Sequence, residues 1–230
     1  MESVYIYDAV RTPRGKARPD GGLASLSPQE LVRQQIAALN TRTGQAAQEA
    51  DSLLLGCVTQ SGAQGGHIAL VSKLHAGLPD GMAAMTLNNY CTSGLSAVGL
   101  AAAMVGSGQA RAVLAGGVEM MSAVPFMADR AAYYGNTELP PRARYIPPVV
   151  AADRLAAMEG IGRTALDECA LLSQDRAAAS EGNAALNASR IPTGGLATEE
   201  CPRGTTAEKL AALPAAFGAM QADFAEDVVL

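Results

Sequence analysis

Apolar segments alternate with polar, glycine-rich turns along the first 120 residues of the chain. Short apolar runs typical of strands occur at residues 4–6, 52–58, 85–90 and 112–117. Longer segments with a helical spacing of apolar positions lie between them, at residues 27–42, 67–75 and 95–105. Strands that alternate with helices form mostly parallel sheets, with helices covering both faces. The pattern therefore predicts an α/β fold built on such a sheet.

Two helix starts carry the sequence signature of a capping box. In Ser27-Pro28-Gln29-Glu30, a serine precedes a proline, and a glutamate follows at the position that can return a hydrogen bond to the cap. Thr205-Thr206-Ala207-Glu208 repeats the pattern and opens a short helix that Pro214 ends. We expect both helices to begin at these boxes.

The pattern changes after Met121. Residues 122–150 are rich in proline, tyrosine and arginine and show little periodicity, so they are interpreted as a surface loop or an oligomer contact. Helical spacing returns at residues 151–158 and 164–180. We therefore divide the chain into an α/β core, 1–121, and a largely helical second part, 122–230.

Composition and charge narrow the class of protein. The net charge of -5 and the pI near 5.1 argue against nucleic acid as the main partner. A strand-like run begins almost at Met1 where a signal peptide would lie, and no apolar run reaches the roughly 18 residues of a membrane span. Four widely spaced cysteines form no C-x-x-C pair, which indicates neither a zinc site nor a disulfide framework. We expect a cytoplasmic protein.

Cys91 is the strongest candidate for chemistry, because it lies where a strand runs into a helix. Unpaired N–H groups and the positive end of the helix dipole gather there and favour the nucleophilic thiolate. Ser93 and Gly94 leave room for a substrate carbonyl, as in a nucleophile elbow. Ligands of parallel α/β sheets also bind beyond the carboxyl ends of the strands. The alternative is a structural cysteine, because free cysteines are often buried.

Arg203 is a second candidate, because it directly precedes the capped helix at residues 205–208. An arginine beside free helix N–H groups is a plausible phosphate site. The alternative is an exposed arginine next to an ordinary capped helix.

Several segments, in the right order, resemble the thiolase family. The nucleophile motif of that family is matched by Leu87-Asn88-x-x-Cys91-x-Ser93-Gly94-Leu95-x-Ala97-Val98, and its GGxExMSxxP segment by residues 116–125. The family's start, the opening of its loop domain and its coenzyme A segment resemble residues 4–14, 152–177 and 203–217. The resemblance implies a thiolase-like fold: a mostly parallel mixed sheet covered by helices, with an inserted helical loop domain that binds coenzyme A.

The resemblance also implies an acyltransferase of the acetyl-CoA C-acyltransferase type. Cys91 would take up an acyl group as a thioester, during thiolysis of a 3-oxoacyl-CoA or the reverse Claisen condensation. Its backbone N–H would be one donor to the thioester oxyanion. Coenzyme A would be a substrate, in a site lined by Arg203, Lys209, Leu213 and Phe217. No cofactor and no metal are expected.

Two catalytic groups of the family have no counterpart in this sequence. Thiolases activate the nucleophile with a histidine in a Gly-His-Pro motif and use a second cysteine in a Cys-x-Gly motif. The two histidines, His67 and His75, lie in neither context and are interpreted as structural. The other three cysteines, Cys57, Cys169 and Cys201, do not match the second catalytic position.

The missing groups motivate the hypothesis of a split thiolase. Residues 220–230 do not resemble the strand that completes the family's first sheet, and an incomplete sheet exposes an edge. A second polypeptide would then supply the C-terminal half, in a hetero-oligomer with two copies of each half. Three alternatives stay open: a truncated full-length thiolase, a non-catalytic acyl-CoA-binding scaffold, and a carbon–carbon lyase on the same fold.

Overall fold

The computed structural model describes residues 3–218 and residue 220. In this part of the chain, three parallel strands form one sheet in the order β2-β1-β3. The strands are β1 (Ser52–Gly56), β2 (Ala83–Leu87) and β3 (Val113–Gly117). Their last residues are in register, with Gly56 opposite both Leu87 and Gly117. The carboxyl ends of the three strands therefore form one row.

Seven α-helices and four short 3-10 turns accompany this sheet in the described ranges. The helices are α1 (Pro28–Thr43), α2 (Ile68–His75), α3 (Ser93–Gly106), α4 (Pro148–Met158), α5 (Arg163–Glu181), α6 (Ala184–Asn187) and α7 (Ala207–Ala211). The 3-10 turns cover Ala46–Glu49, Gly62–Gln64, Ala132–Gly135 and Pro141–Ala143.

The central strand is buried on both faces, because helices cover each side of it. Leu53 and Leu55 belong to a core cluster with Ile68 of α2, whereas Leu54 packs with Ala97 of α3 on the other face. Successive side chains of a strand point to opposite faces, so one apolar run supplies both core layers. The predicted α/β architecture, a parallel sheet flanked by helices, is confirmed.

The start of α1 follows the prediction only in part. Ser27 is the N-cap, and its hydroxyl accepts a hydrogen bond from the backbone N–H of Glu30 at 3.2 Å. The Glu30 carboxylate does not close the capping box; it binds Arg33 at 2.6 and 2.7 Å and His75 at 2.8 Å. Hydrogen bonds from Arg33, then from Gln34 and His75, hold the pKa of Glu30 well below its usual range.

The prediction of a strand at residues 4–6 is wrong. The side chains of Val4, Tyr5 and Ile6 are exposed, and these residues pair with no strand in the described structure. A strand requires a neighbour whose backbone N–H and C=O groups complete its hydrogen bonds. An apolar run alone does not provide that neighbour.

The described residues divide into two compact units. The first contains the chain up to Asp129 together with Ala184–Cys201; the second contains Arg130–Asn183 and the residues from Pro202 onwards. Relative to the predicted division at residue 121, the segment 184–201 lies with the first unit. Hydrogen bonds explain this placement: Ile191 N–H donates to the carbonyl of Arg11 at 2.9 Å, and the Glu199 carboxylate accepts from the backbone N–H of Arg14 at 2.7 Å.

No helix in the described ranges is long and apolar enough to span a membrane. Residues 221–230, which include most of the tail that does not resemble the family's return strand, lie outside the described residues.

Candidate active site

The structure places Cys91 at the carboxyl edge of the sheet, four residues after β2 ends at Leu87 and two residues before α3 begins at Ser93. Cys91 is exposed and forms no disulfide. The N-terminus of a helix attracts negative charge, because its first N–H groups lack partners within the helix. The thiol therefore lies exposed beside the start of a helix, where an incoming molecule can reach it.

The residue before the thiol has a left-handed backbone, with φ of 47° at Tyr90. Such a conformation is rare for a bulky residue and persists only where the surroundings hold it. Here the Tyr90 N–H donates to Oδ1 of Asn88 at 2.9 Å. Its carbonyl accepts from both the backbone N–H and the hydroxyl of Ser93, at 3.0 and 2.6 Å. These bonds fix the direction from which Cys91 leaves the turn.

Ser93 holds this turn together, a role that the sequence did not predict. Its side chain is buried, donates to the carbonyl of Tyr90, and accepts from the N–H of Asn89 at 2.8 Å. One hydroxyl thus ties together both sides of the turn, using its donor and its acceptor.

The backbone amide of Cys91 differs from those of the two residues that follow it. The N–H groups of Thr92 and Ser93 donate within the turn, at 3.2 and 3.0 Å, whereas that of Cys91 has no acceptor in the described part of the chain. This N–H, next to the thiol, can donate a hydrogen bond to the oxygen of an acyl group bound to the sulfur.

Glycines allow α3 to lie directly on the strand ends. A Cβ atom added at Gly56 would stand 2.3 Å from the carbonyl carbon of Ser93 and 2.5 Å from the nitrogen of Gly94. A Cβ at Gly117 would stand 3.2 Å from Cα of Gly94. Only residues without side chains permit this approach. The glycines of the sheet therefore determine how close α3 and the turn before it, residues 88–93 (the nucleophile turn), lie to the strands.

Sequence reasoning missed a buried amide behind the strand ends. Gln64 is fully buried; its Nε2 donates to the carboxylate of Glu119 at 2.8 Å and to the carbonyl of Thr59 at 2.9 Å. Its Oε1 accepts from the backbone N–H of Met120. In the sequence, Glu119 is marked only by its place in the GGxExMSxxP segment at residues 116–125. No feature of the sequence pointed to the role of Gln64.

Of the other three cysteines, Cys57 differs from Cys91 in its surroundings. Cys57 is buried at the end of β1, and burial, followed by the nearby Glu119 charge, raises the pKa of its thiol to about 12. Such a thiol is protonated and inert at neutral pH. Cys169 and Cys201 are exposed. Their exclusion as the second catalytic cysteine stays a prediction.

Both histidines have structural contacts. His67 has a left-handed backbone with φ of 71° and caps α2, its Nδ1 accepting from the N–H of Leu70 at 3.0 Å. His75 binds Glu30 at the other end of α2. Neither contact involves the turn that carries Cys91.

The residues expected at a coenzyme A site lie in the second unit, around α7. The N-cap of α7 is Thr206, one residue later than predicted, and its hydroxyl accepts from the N–H of Lys209 at 3.3 Å. Arg203 is exposed, and its backbone N–H donates to Gln174 of α5 at 2.8 Å. The structure shows no partner for the guanidinium of Arg203 among the described residues.

The apolar pair of this set is also exposed. The side chains of Leu213 and Phe217 are 51% and 42% exposed, which is high for residues of this type. Arg163 of α5 donates to the carbonyls of Leu210 and Leu213, at 2.6 and 3.2 Å, and thereby holds the end of α7. The four predicted residues thus belong to one segment, residues 203–217, that is hydrogen-bonded to α5.

Comparison with known proteins identifies the family. The model of the thiolase N-terminal domain matches residues 4–222. A beta-ketoadipyl-CoA thiolase of Acinetobacter baylyi is 33% identical over 240 residues, covering 93% of this chain and 59% of that protein. A beta-ketoadipyl-CoA thiolase of Pseudomonas knackmussii is 43% identical over 129 residues, which are 56% of this chain and 32% of that protein.

A third relative, the 3-ketoacyl-CoA thiolase FadA of Escherichia coli K12, is 35% identical over 196 residues, covering 85% of this chain and 50% of that protein. The chain thus spans about half the length of the curated relatives it matches. The family match covers most of the chain and includes both the nucleophile turn and the segment around α7. The chain belongs to the thiolase family, of which it represents the N-terminal portion.

Proposed function

We propose that this chain carries the nucleophile of a thiolase, which transfers an acyl group between coenzyme A and a 3-oxoacyl-CoA through a thioester on Cys91. The observation that carries the proposal is an exposed thiol at the N-terminus of α3, next to a backbone N–H that has no acceptor in the described structure. The same turn provides a nucleophile and a place for the oxygen of its acyl product.

The proposed reaction proceeds in two steps. The Cys91 thiolate attacks the 3-oxo carbon, and the bond between carbons 2 and 3 breaks. Its electron pair stays on carbon 2, which takes a proton to give acetyl-CoA. The thiolate of free coenzyme A then attacks the thioester carbon, and Cys91 leaves as a thiolate. In both steps the Cys91 N–H would donate to the oxygen that gains charge.

Proton transfer requires groups beyond this turn. A base must deprotonate the thiol, and an acid must protonate carbon 2. Both histidines are engaged at the ends of α2, and Cys57 is buried with a raised pKa. We infer that a histidine and a second cysteine come from a second polypeptide with the other half of a thiolase, in an assembly with two copies of each.

Native mass spectrometry of the protein, purified from its source with its natural partners, tests this inference. A second polypeptide of similar size, bound in equal copies, is the expected result. A homo-oligomer of the 230-residue chain that performs full thiolysis contradicts it. A single longer polypeptide containing this sequence contradicts the second chain while retaining the Cys91 mechanism.

The Cys91 mechanism is tested by locating the acyl group. The complete assembly is incubated with an acyl-CoA, quenched in acid, and digested for peptide mass spectrometry. We expect a thioester on the peptide that contains Cys91 and none on the exposed Cys169 and Cys201, which serve as internal controls. Acylation of all three exposed cysteines to the same extent would indicate non-specific thiol chemistry and contradict the proposal.

We further propose that Arg203, Lys209, Leu213 and Phe217 bind coenzyme A. The exposed cations Arg203 and Lys209 would contact its phosphates, and the exposed apolar side chains of Leu213 and Phe217 would flank its pantetheine. Their common segment and unusual apolar exposure support this assignment.

Replacing Arg203 by alanine should raise KM for coenzyme A about 10-fold, because a charge-assisted hydrogen bond contributes roughly 1.5–3 kcal/mol. Steady-state kinetics with varied coenzyme A measures this, with kcat little changed. Arg176→Ala is the matched control, because Arg176 is an exposed arginine of the same unit, on α5. Equal effects of both substitutions would contradict a specific contact.

Two alternatives have distinct outcomes. A non-catalytic scaffold would bind acyl-CoA without forming the thioester, although the exposed thiol in its braced turn has no purpose there. A carbon–carbon lyase of the same fold would fail to release acetyl-CoA from a 3-oxoacyl-CoA when free coenzyme A is added.

A further inference from the structure

We propose that Glu119 and Asn88 are positioning residues for Cys91, and that they act through one shared peptide, the Val58–Thr59 unit. This proposal deepens the proposed function, since it rests on Cys91 as the nucleophile. Each of the three segments involved follows the end of a different strand of the sheet.

Glu119 follows β3 and holds the chain beyond β1. Its Oε2 accepts from the N–H of Val58 at 2.8 Å, and its Oε1 accepts from the N–H of Thr59 at 3.3 Å. The buried Gln64 fixes the carboxylate from behind, through its donation to Oε1 at 2.8 Å. A carboxylate that accepts hydrogen bonds from several N–H groups is strongly bound and held in one orientation.

Asn88 follows β2 and reaches the same peptide from the other side. Its Nδ2 donates to the carbonyl of Val58 at 3.0 Å, while its Oδ1 accepts from the N–H of Tyr90 at 2.9 Å. The amide therefore uses its donor towards β1 and its acceptor towards the nucleophile turn.

These contacts form one continuous path. The Val58–Thr59 peptide donates its N–H to Glu119 and accepts from Asn88 at its carbonyl. Hydrogen bonds at the two ends of one peptide polarise it and strengthen each other. Loss of either end weakens the other, so the two side chains should act as a unit.

The path ends at the residue that aims the thiol. Tyr90 is left-handed at φ of 47°, and the bond to Asn88 is one of those that hold it there. A Tyr90 that relaxes to an extended backbone would turn both the sulfur and the N–H of Cys91 away from their common target. Small displacements of a nucleophile reduce rates strongly.

The experiment compares Glu119→Gln, Asn88→Ala and the double variant in the complete assembly. Glu200→Gln is the matched control, because Glu200 also accepts two backbone N–H groups, those of Lys16 and Gly22, in a loop outside the strand ends. Two measurements are made: kcat and KM for acyl transfer, and the rate at which iodoacetamide alkylates Cys91 relative to Cys169 of the same molecule.

Each single substitution should lower kcat by about 10- to 100-fold with KM little changed, because the substrate site is retained while the thiol is misdirected. The ratio of Cys91 to Cys169 alkylation should change in the same variants and stay constant in Glu200→Gln. The kcat of the double variant should be no lower than that of the less active single variant, because both substitutions break one path.

Additive losses in the double variant would overturn the proposal, as would a constant alkylation ratio in both single variants. An equal rise in the alkylation of Cys91 and Cys169 would also overturn it, since this indicates general loosening. If wild-type Cys91 is not acylated at all, the proposed function fails, and the alkylation ratio still tests the positioning path. Asn88→Ser, which can keep the bond to Tyr90 but not to Val58, serves if Asn88→Ala does not fold.

Discussion

Replacing Cys91 by alanine should reduce acyl transfer by a factor on the order of 10⁴–10⁶, which is the range seen when an enzyme loses its nucleophile. The methyl side chain cannot form a thioester, and the two hydroxyls of the turn are already engaged. Ser93 is buried with both its donor and its acceptor used, and the Thr92 hydroxyl donates to the carbonyl of Asn89 at 2.8 Å. Release of acetyl-CoA from a 3-oxoacyl-CoA, in the complete assembly, measures the loss.

The matched controls are Cys169→Ala and Cys201→Ala, which remove the two other exposed thiols. Both should retain nearly full activity and full thermal stability. Cys91→Ala should also leave the melting temperature nearly unchanged, because its exposed side chain contributes little to the core. Thiolysis retained in Cys91→Ala would refute the covalent mechanism.

Replacing Gly56 by alanine should destabilise the first unit by about 3 kcal/mol, at the upper end of what overpacking in a close-packed site costs. The added Cβ would stand 2.3 Å from the carbonyl carbon of Ser93, and the atoms it meets are backbone atoms of α3 that no rotamer change can move. A lower midpoint in urea unfolding, with the slope unchanged, is the expected measurement.

Gly116→Ala is the control within the neighbouring strand, because a Cβ at Gly116 meets nothing within 4 Å. Its stability should stay within about 0.5 kcal/mol of the wild type. Because α3 must lift from the sheet in Gly56→Ala, alkylation of Cys91 should change as well, whereas Gly116→Ala should leave it unaltered. Equal stability of both variants would contradict the close approach of α3 to β1.

Much of the fold of the first unit was predictable, because its signals are local. The apolar run of β1 and the spacing in α1 and α3 follow from how side chains repeat along a strand or a helix. The N-cap at Ser27 follows from the chemistry of a hydroxyl beside free N–H groups. The strand expected at residues 4–6 fails for the opposite reason, since pairing depends on a neighbour that the run cannot specify.

Glu30 shows how a local signal can be overruled. Its position predicts a bond to the cap, yet its carboxylate pairs with Arg33 and with His75, which lies 45 positions away in the sequence. The charged guanidinium of Arg33 binds a carboxylate more strongly than a backbone N–H does, so these side-chain contacts take precedence over the bond to the cap.

In the candidate site, too, some features follow from the sequence alone and others depend on the tertiary structure. The sequence by itself determined the family and the place of the proposed nucleophile, Cys91, between a strand and a helix, because a motif is a property of consecutive residues. Only the tertiary structure decided which contacts surround the turn that carries Cys91: the approach of Gly56 to the start of α3, and the hydrogen bonds that link Gln64 and Glu119 through Val58 to Asn88. The reason is physical: the partners in these contacts lie 30 to 61 positions apart, and only the parallel register of three strand ends brings them within hydrogen-bond distance.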